Sequence, residues 1–497
     1  MKRRADLFQL IRAMSRSEKR YFTLDAQKSG RKTARYLELF QVINDMETYD
    51  EAALRQRFPR HLSTDKNYLY EAILRSMRDY RSANSHAARI KELMLDARYL
   101  YERGLYEQSE ERLGVAKELA KEMGDHLSIL EINKEEGKIA FELKRKNYKQ
   151  VIDSLIEARN RELELLAEEF FYLDKCYHLM YKVIQNVEIK DVAVQRQLKE
   201  EFAIENAPKP DSVQGERRYY QASAMYYQLI GDFENVFSFY AQVLDWWDNH
   251  PRYKDDEFPR FVIDLSNFLH ASFTRGEYKY VAALLERLEN ENPVNFYDQA
   301  ILFQKTTIYK LIYYINTGQA AKIEKLEEQI EKDLLRYSVN PASTIAIACN
   351  LAMGLFVSEK FEKCAGWCEK IIKNHLNLPP RVNIQKSIHL LNLIALFEVG
   401  DIEKLDNQFR ASHRFLLSVK DTQSSDYEMD IFNFIRKTVN APVGNLPQLL
   451  RKFRAYLAGL EVNLLFGLDE LMIRWIDSKL EKKSLSEIFT RRHQVKE

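Results

Sequence analysis

Residues 219–247 read YYQASAMYYQLIGDFENVFSFYAQVLDWW. Apolar side chains recur at three- and four-residue spacing on both sides of Gly231-Asp232-Phe233, the pattern of two amphipathic helices interrupted once. Glycine suits that interruption. The first helix must end on a left-handed residue, a conformation that costs a residue bearing a Cβ about 1 kcal/mol or more. The apolar residue two places on then docks inward and starts the second helix.

The same punctuation recurs along the chain. It stands at Gly104-Leu105-Tyr106, Lys146-Asn147-Tyr148, Val187-Glu188-Ile189, Gly231-Asp232-Phe233 and Gly276-Glu277-Tyr278, and then at Gly318-Gln319-Ala320, Glu359-Lys360-Phe361, Gly400-Asp401-Ile402 and Gly444-Asn445-Leu446. Successive breaks are 42, 41, 44, 45, 42, 41, 41 and 44 residues apart. A period of this size marks a repeat array. Second stop signals lie at Gly124-Asp125, 208–212, Asn249-His250-Pro251, Asn292-Pro293, Asn340-Pro341 and Leu378-Pro379-Pro380, where proline prevents a helix from continuing. Each period therefore divides into two helices of roughly 15 to 18 residues.

These units resemble tetratricopeptide repeats. The resemblance rests on the Gly-Asp-Phe and Gly-Glu-Tyr turns, on the small Ala224 seven residues before Gly231, and on Tyr227 one helical turn later; it covers roughly residues 87 to 440. It implies an all-α fold: a right-handed α-solenoid of stacked antiparallel helix hairpins over 86–440, between an N-terminal helical head (1–85) and a C-terminal helical cap (441–497) that covers the last apolar face. The units are longer than the family's usual 34 residues, so longer helices are implied. Carried over in register, the groove positions become Gln221, Met225 and Gln228, then Ser266, His270 and Phe273, then Lys305, Ile308 and Asn316, then Cys349, Met353 and Phe356, and finally Leu390, Ile394 and Phe397. Such a face changes from polar to apolar along the array and suits an amphipathic helix or apolar peptide. The alternative is a shifted register that buries these residues in the core.

The head reads as helices over 5–14, 17–27, 32–46, 49–58 and 63–80, and the last two have the order of a helix-turn-helix. On the second of these, Lys66, Arg75, Arg78 and Arg81 stand away from an apolar stripe of Leu69, Ile73, Met77 and Tyr80, which would suit phosphates. Residues 1–85 hold 18 Lys and Arg against 11 Asp and Glu, so the head is near +7 while the chain as a whole is +1. Glu71 and Asp79 share the same face, and a purely structural cap is the alternative. The tail contributes helices over 449–460 and 464–480 and a basic end with Arg491 and Arg492.

With 45% hydrophobic and 30% charged residues but only 15 Gly and 11 Pro, the composition is that of a globular helical chain. No apolar run reaches the length of a membrane span, and the basic start 1–4 is not followed by a continuous apolar signal core. A cytoplasmic location is expected, with Cys176, Cys349, Cys364 and Cys368 as thiols.

No phosphate-binding Gly-rich Lys loop, nucleophile elbow or zinc-binding His-Glu-x-x-His occurs, so neither catalytic residues nor a cofactor or metal is expected. Cys364 and Cys368 share a helix face without a nearby His to complete a metal site, and read as packing residues. His250 lies among Trp246, Trp247, Asp248, Asp255 and Asp256, a patch for a cation or basic peptide. The plainer reading makes the tryptophans anchors and the acids a cap for the next helix. The expectation is a non-enzymatic scaffold that binds a protein or peptide. The alternatives are a DNA-binding regulator with the array as sensor and, more remotely, an enzyme with an unrecognised site.

Overall fold

The computed structural model describes residues 6–28, 35–82, 85–185, 189, 191–293, 295–337, 339–374, 382–419, 427–442, 444–460 and 467–494. Among them the chain is all-helical, with one 3-10 turn at Ile204–Asn206 and no strand. The breaks and stops expected at Val187-Glu188 and Leu378-Pro379-Pro380, the basic start 1–4, and the beginning of the helix expected over 464–480 lie outside the described residues, as do the side chains of Arg491 and Arg492.

The chain divides into two compact units, residues 1–280 with 292–299 and residues 281–291 with 300–497. The division falls inside the stretch read from the sequence as one array.

The first unit begins with α1 (Asp6–Ala13), α2 (Arg16–Lys28), α3 (Arg35–Asp45), α4 (Glu51–Arg57) and α5 (Leu62–Ser82). Their inward faces close a core of their own, with Ile11, Leu39, Ile43, Leu54, Leu69 and Ile73 fully buried. Asp50 starts α4 by accepting from the Ala52 and Ala53 amides, an N-cap that satisfies two otherwise orphaned donors. The unit continues with α6 (His86–Tyr101), α7 (Tyr106–Glu122), α8 (His126–Leu143), α9 (Tyr148–Gln185), α10 (Val192–Phe202), α11 (Val213–Leu229), α12 (Phe233–Asn249), α13 (Pro251–Asp256) and α14 (Phe258–Arg275). Neighbours in sequence are neighbours in space: α6 packs on α7, α7 on α8, α8 on α9, α9 on α11, α11 on α12 and α12 on α14.

The second unit holds most of α15 (Tyr278–Glu289) and of α16 (Phe296–Asn316), then α17 (Ala320–Arg336), α18 (Pro341–Val357), α19 (Phe361–Ile372), α20 (Val382–Val399), α21 (Ile402–Ser418), α22 (Tyr427–Val439), α23 (Leu446–Ala458), α24 (Leu468–Glu481) and α25 (Leu485–Gln494). Here α17 to α21 again pack in succession around one apolar core, and α20 also touches α22.

Four of the glycine breaks share one geometry. Gly104, Gly231, Gly276 and Gly318 take positive φ of 67–78°, and the residue after each donates its amide to the carbonyl five residues earlier: Leu105 to Leu100, Asp232 to Tyr227, Glu277 to Ser272, Gln319 to Tyr314. This hydrogen bond uses up an orphaned carbonyl at the helix end and fixes the angle of the turn. Glu359 adopts the same conformation without being glycine, with Lys360 donating to Leu355.

One expectation needs correction. The period between breaks 146 and 187 does not split into two helices, because α9 is a single helix of 38 residues. Nothing interrupts it: no Gly or Pro lies between Gly137 and Pro208. The C-terminal helices also lie against the hairpin turns of their own unit. The Leu485 amide donates to Glu359 Oε1 (2.9 Å), Ser486 Oγ donates to the Gly318 carbonyl (2.8 Å), and Trp475 Nε1 donates to Glu398 Oε1 (2.7 Å). Trp475, Met472 and Ile476 are buried in the core of that unit.

Candidate functional site

The groove positions fall into three groups. Gln228, His270 and Phe273 reach solvent at the C-terminal ends of α11 and α14, each within two helical turns of a glycine turn. Phe273 packs edge-on against Tyr278, with ring centroids 6.0 Å apart. Met225 and Ile308 are half-buried against core clusters. Lys305 is half-buried, and burial lowers its ammonium below the ordinary lysine value. Asn316 spends its amide on the Ile312 carbonyl one turn back (2.8 Å).

Gln221 turns inward instead. It donates to Asp264 Oδ1, while Arg217 Nη1 and Trp247 Nε1 each donate to Asp264 Oδ2 at 2.8 Å. Arg217 and Asp264 are both essentially solvent-free. The Arg217 guanidinium also lies 5.0 Å from the Trp247 ring centre. Three helices, α11, α12 and α14, are thus joined at one carboxylate. The site is a fastening: its charge is compensated internally and no side of it faces water.

In the second unit Met353 and Phe356 are not surface residues: they are 4% and 0% exposed, and Cys349, Leu390 and Ile394 are enclosed with them. Helices α18 and α20 are buried around most of their circumference, so no face of either is free to line a groove. Ser266 is likewise buried, and its hydroxyl donates to the Val262 carbonyl. Phe397 packs edge-on against Trp475.

In the head, Lys66 is withdrawn from any phosphate. Its Nζ donates to Glu51 Oε2 and to Tyr49 Oη, both at 2.7 Å, and its side chain is 12% exposed. Although burial works against the charge, these two hydrogen bonds raise its pKa. Arg75, Arg78 and Arg81 are exposed along α5, with Glu71 and Asp79 exposed beside them.

The acidic loop near His250 resolves into structural roles. Trp246 Nε1 donates to the Val213 carbonyl (2.9 Å), and His250 stacks on the Trp246 ring at 4.3 Å. The cap is supplied by Asp256, and it serves α6 rather than the next helix: its carboxylate accepts from the His86 amide (3.0 Å) and the Ala87 amide (2.8 Å). Cys364 and Cys368 are fully buried beside Cys349. Burial pushes the Cys349 and Cys368 thiols well up, Cys368 further through its neighbour Cys364, so these sulfurs stay protonated and poor as ligands.

Sequence reasoning missed two features. One is a cleft of about 350 Å³ in the second unit, lined by Glu359, Glu398, Trp475, Lys479, Lys482 and Lys483 among others. Its carboxylates are already engaged, Glu398 by Trp475 and Lys479 (2.6 Å) and Glu359 by the Leu485 amide, so the groups it offers are cationic. The other is the outward face of α9, where Phe170, Phe171, Tyr177 and Tyr181 are exposed. The seven-residue spacing of Phe170 and Tyr177 was available in the sequence. Comparison of the chain with protein-family models, with curated proteins and with solved structures finds no match.

Proposed function

We propose that the chain is a non-enzymatic, cytoplasmic scaffold of tetratricopeptide-like repeats that binds a protein or peptide. The observation that carries this reading is the recurrence of one hairpin turn, a left-handed residue followed by the same backbone hydrogen bond, at Gly231, Gly276, Gly318 and Glu359, with spacings of 41 to 45 residues. A helix-hairpin turn repeated at near-constant spacing is what a helix-pair repeat requires, and repeats of that kind present an extended surface to a partner. Within the first unit, Gln228 and Phe273 occupy the same position relative to their turns and both reach solvent, with His270 one turn behind. A peptide laid across them meets an amide, an imidazole and an aromatic ring, a surface for a short amphipathic segment.

The test is selection of displayed peptides against the intact chain, followed by affinity measurement on a Gln228→Ala/His270→Ala/Phe273→Ala variant of unchanged melting temperature. Selected peptides should lose at least about tenfold in affinity, as expected when an aromatic anchor is removed. Peptides that bind the variant equally well would remove this surface from the reading.

A second reading, DNA binding by the head with the array as sensor, is favoured by one observation: Arg75, Arg78 and Arg81 are exposed along α5, which follows the short α4. A mobility shift of duplex DNA at low salt that weakens with added salt and is lost in Arg75→Glu/Arg78→Glu supports it. No shift at low salt ends it.

A further inference from the structure

Helix α9 presents an exposed apolar face that the repeat reading does not use. Helix α9 is buried along one side, through Tyr172, Cys176 and Leu179, against its own unit. The opposite side carries Ile156, Leu163, Phe170, Tyr177 and Ile184, spaced seven residues apart, all 40–61% exposed. Tyr181, at 65%, and Met180, at 48%, widen the same stripe. Apolar residues every seven positions keep one seam of a helix facing a partner helix, and this seam runs about 42 Å. A solvated face has no use for that regularity.

We propose that this face pairs with the same face of a second copy of the chain, the two α9 helices running antiparallel and crossing at Phe170. Three observations select a second copy as the occupant. The first is area. Phe170, Tyr177 and Tyr181 together expose roughly 350 Å² of ring-bearing surface, and Ile156, Leu163, Met180 and Ile184 bring the stripe to roughly 700 Å². That exceeds the largest apolar patch of an ordinary monomer, about 300–600 Å², and approaches the roughly 800 Å² that each partner contributes to a standard interface.

The second is symmetry. Apolar residues meet apolar residues in both directions about Phe170: Ile156 falls opposite Ile184, Leu163 opposite Tyr177, and Phe170 opposite itself. A two-fold interface requires this self-complementarity. The third is charge. The antiparallel pair places the exposed Arg159 beside Tyr181 of the second copy, a cation over a ring.

The proposal rests on α9 alone and stands or falls independently of the peptide-binding reading. The experiment is sedimentation of the full chain up to ~100 µM, since interfaces of this size have affinities of micromolar or better. A dimer is expected. Phe170→Glu/Tyr177→Glu should weaken it by at least about 30-fold, with helical content and melting temperature unchanged because both positions are exposed. Disulfide trapping reads the direction. The native Cys176, Cys349, Cys364 and Cys368 are buried and do not compete. Phe170→Cys should cross-link to itself, Leu163→Cys alone should not, and Leu163→Cys combined with Tyr177→Cys should. A monomer throughout the range, or a dimer indifferent to the glutamates, overturns the proposal. Cross-linking by Leu163→Cys alone overturns the antiparallel arrangement.

Discussion

Replacing Asp264 by alanine tests whether the α11–α12–α14 junction is held as described. Asp264 accepts from Arg217, Trp247 and Gln221, and Arg217 is 3% exposed, so removing the carboxylate strands a guanidinium without counter-charge or solvent. Breaking a buried pair on one side costs about 3–5 kcal/mol, a large share of the ~5–15 kcal/mol that holds a domain folded. Asp264→Asn keeps an acceptor and the shape but loses the charge, and should cost about 2 kcal/mol. The informative variant removes both partners: Arg217→Met with Asp264→Leu leaves nothing unpaired and should cost far less than the two single changes combined. A chain of two compact units does not guarantee one unfolding transition, so the measurement is hydrogen exchange resolved to peptides of α11, α12 and α14. Protection there should fall roughly 200- to 4,000-fold in Asp264→Ala and recover substantially in the double variant. A single-variant loss below about 1 kcal/mol, or strict additivity in the double, refutes the reasoning.

Gly318→Ala and Gly400→Ala separate backbone strain from crowding. Both positions have positive φ, costing about 1 kcal/mol for any Cβ, but a Cβ at Gly400 meets open space whereas one at Gly318 runs into Thr490 Oγ1 and the Ser486 carbonyl. Gly318→Ala should therefore lower the melting temperature more and expose α25 to limited proteolysis; equal effects would show that α25 does not rest on that turn. His389 is enclosed by Phe415, Ser412 and Gln408, whose amide donates to Nδ1, and burial lowers its pKa to about 4. Because the folded value lies below the unfolded one of about 6.5, its contribution is complete above pH 6.5 and fades as pH falls towards 4. The loss should reach up to about 3 kcal/mol, and in His389→Gln that part of the acid profile should be absent in urea titrations across the range. Asp256→Ala uncaps α6 and should raise exchange at the His86 and Ala87 amides about fivefold, equivalent to about 1 kcal/mol; unchanged exchange would mean that the cap is redundant.

The turns were legible because left-handed backbone demands a particular residue, and Gly104, Gly231, Gly276, Gly318 and Gly400 supply it visibly. Spacing alone located Glu359, where the conformation is adopted against residue preference. The groove register was not legible in the second unit for a physical reason. Helices α18 and α20 are apolar on nearly every side, so helical periodicity has no phase from which a face can be read. Gln221 and Lys66 show a different limit. Each was recognised as polar and taken for surface, but a sequence does not display the partner that makes burial affordable, Asp264 from another helix in one case and Glu51 with Tyr49 in the other. The continuity of α9 was there to be read in the missing glycines and prolines, and was obscured by assuming that every period divides alike.

The hydroxyl of Ser486 reaches a carbonyl 168 positions earlier in the chain. At a synthesis rate of about 5–20 residues per second, Gly318 leaves the peptidyl-transferase centre roughly 8 to 34 s before its mate is made. Throughout that interval the hydrophobic flank reserved for Trp475 and Met472 has no cover, which makes nascent chains stopped short of α24 the species most in need of a chaperone.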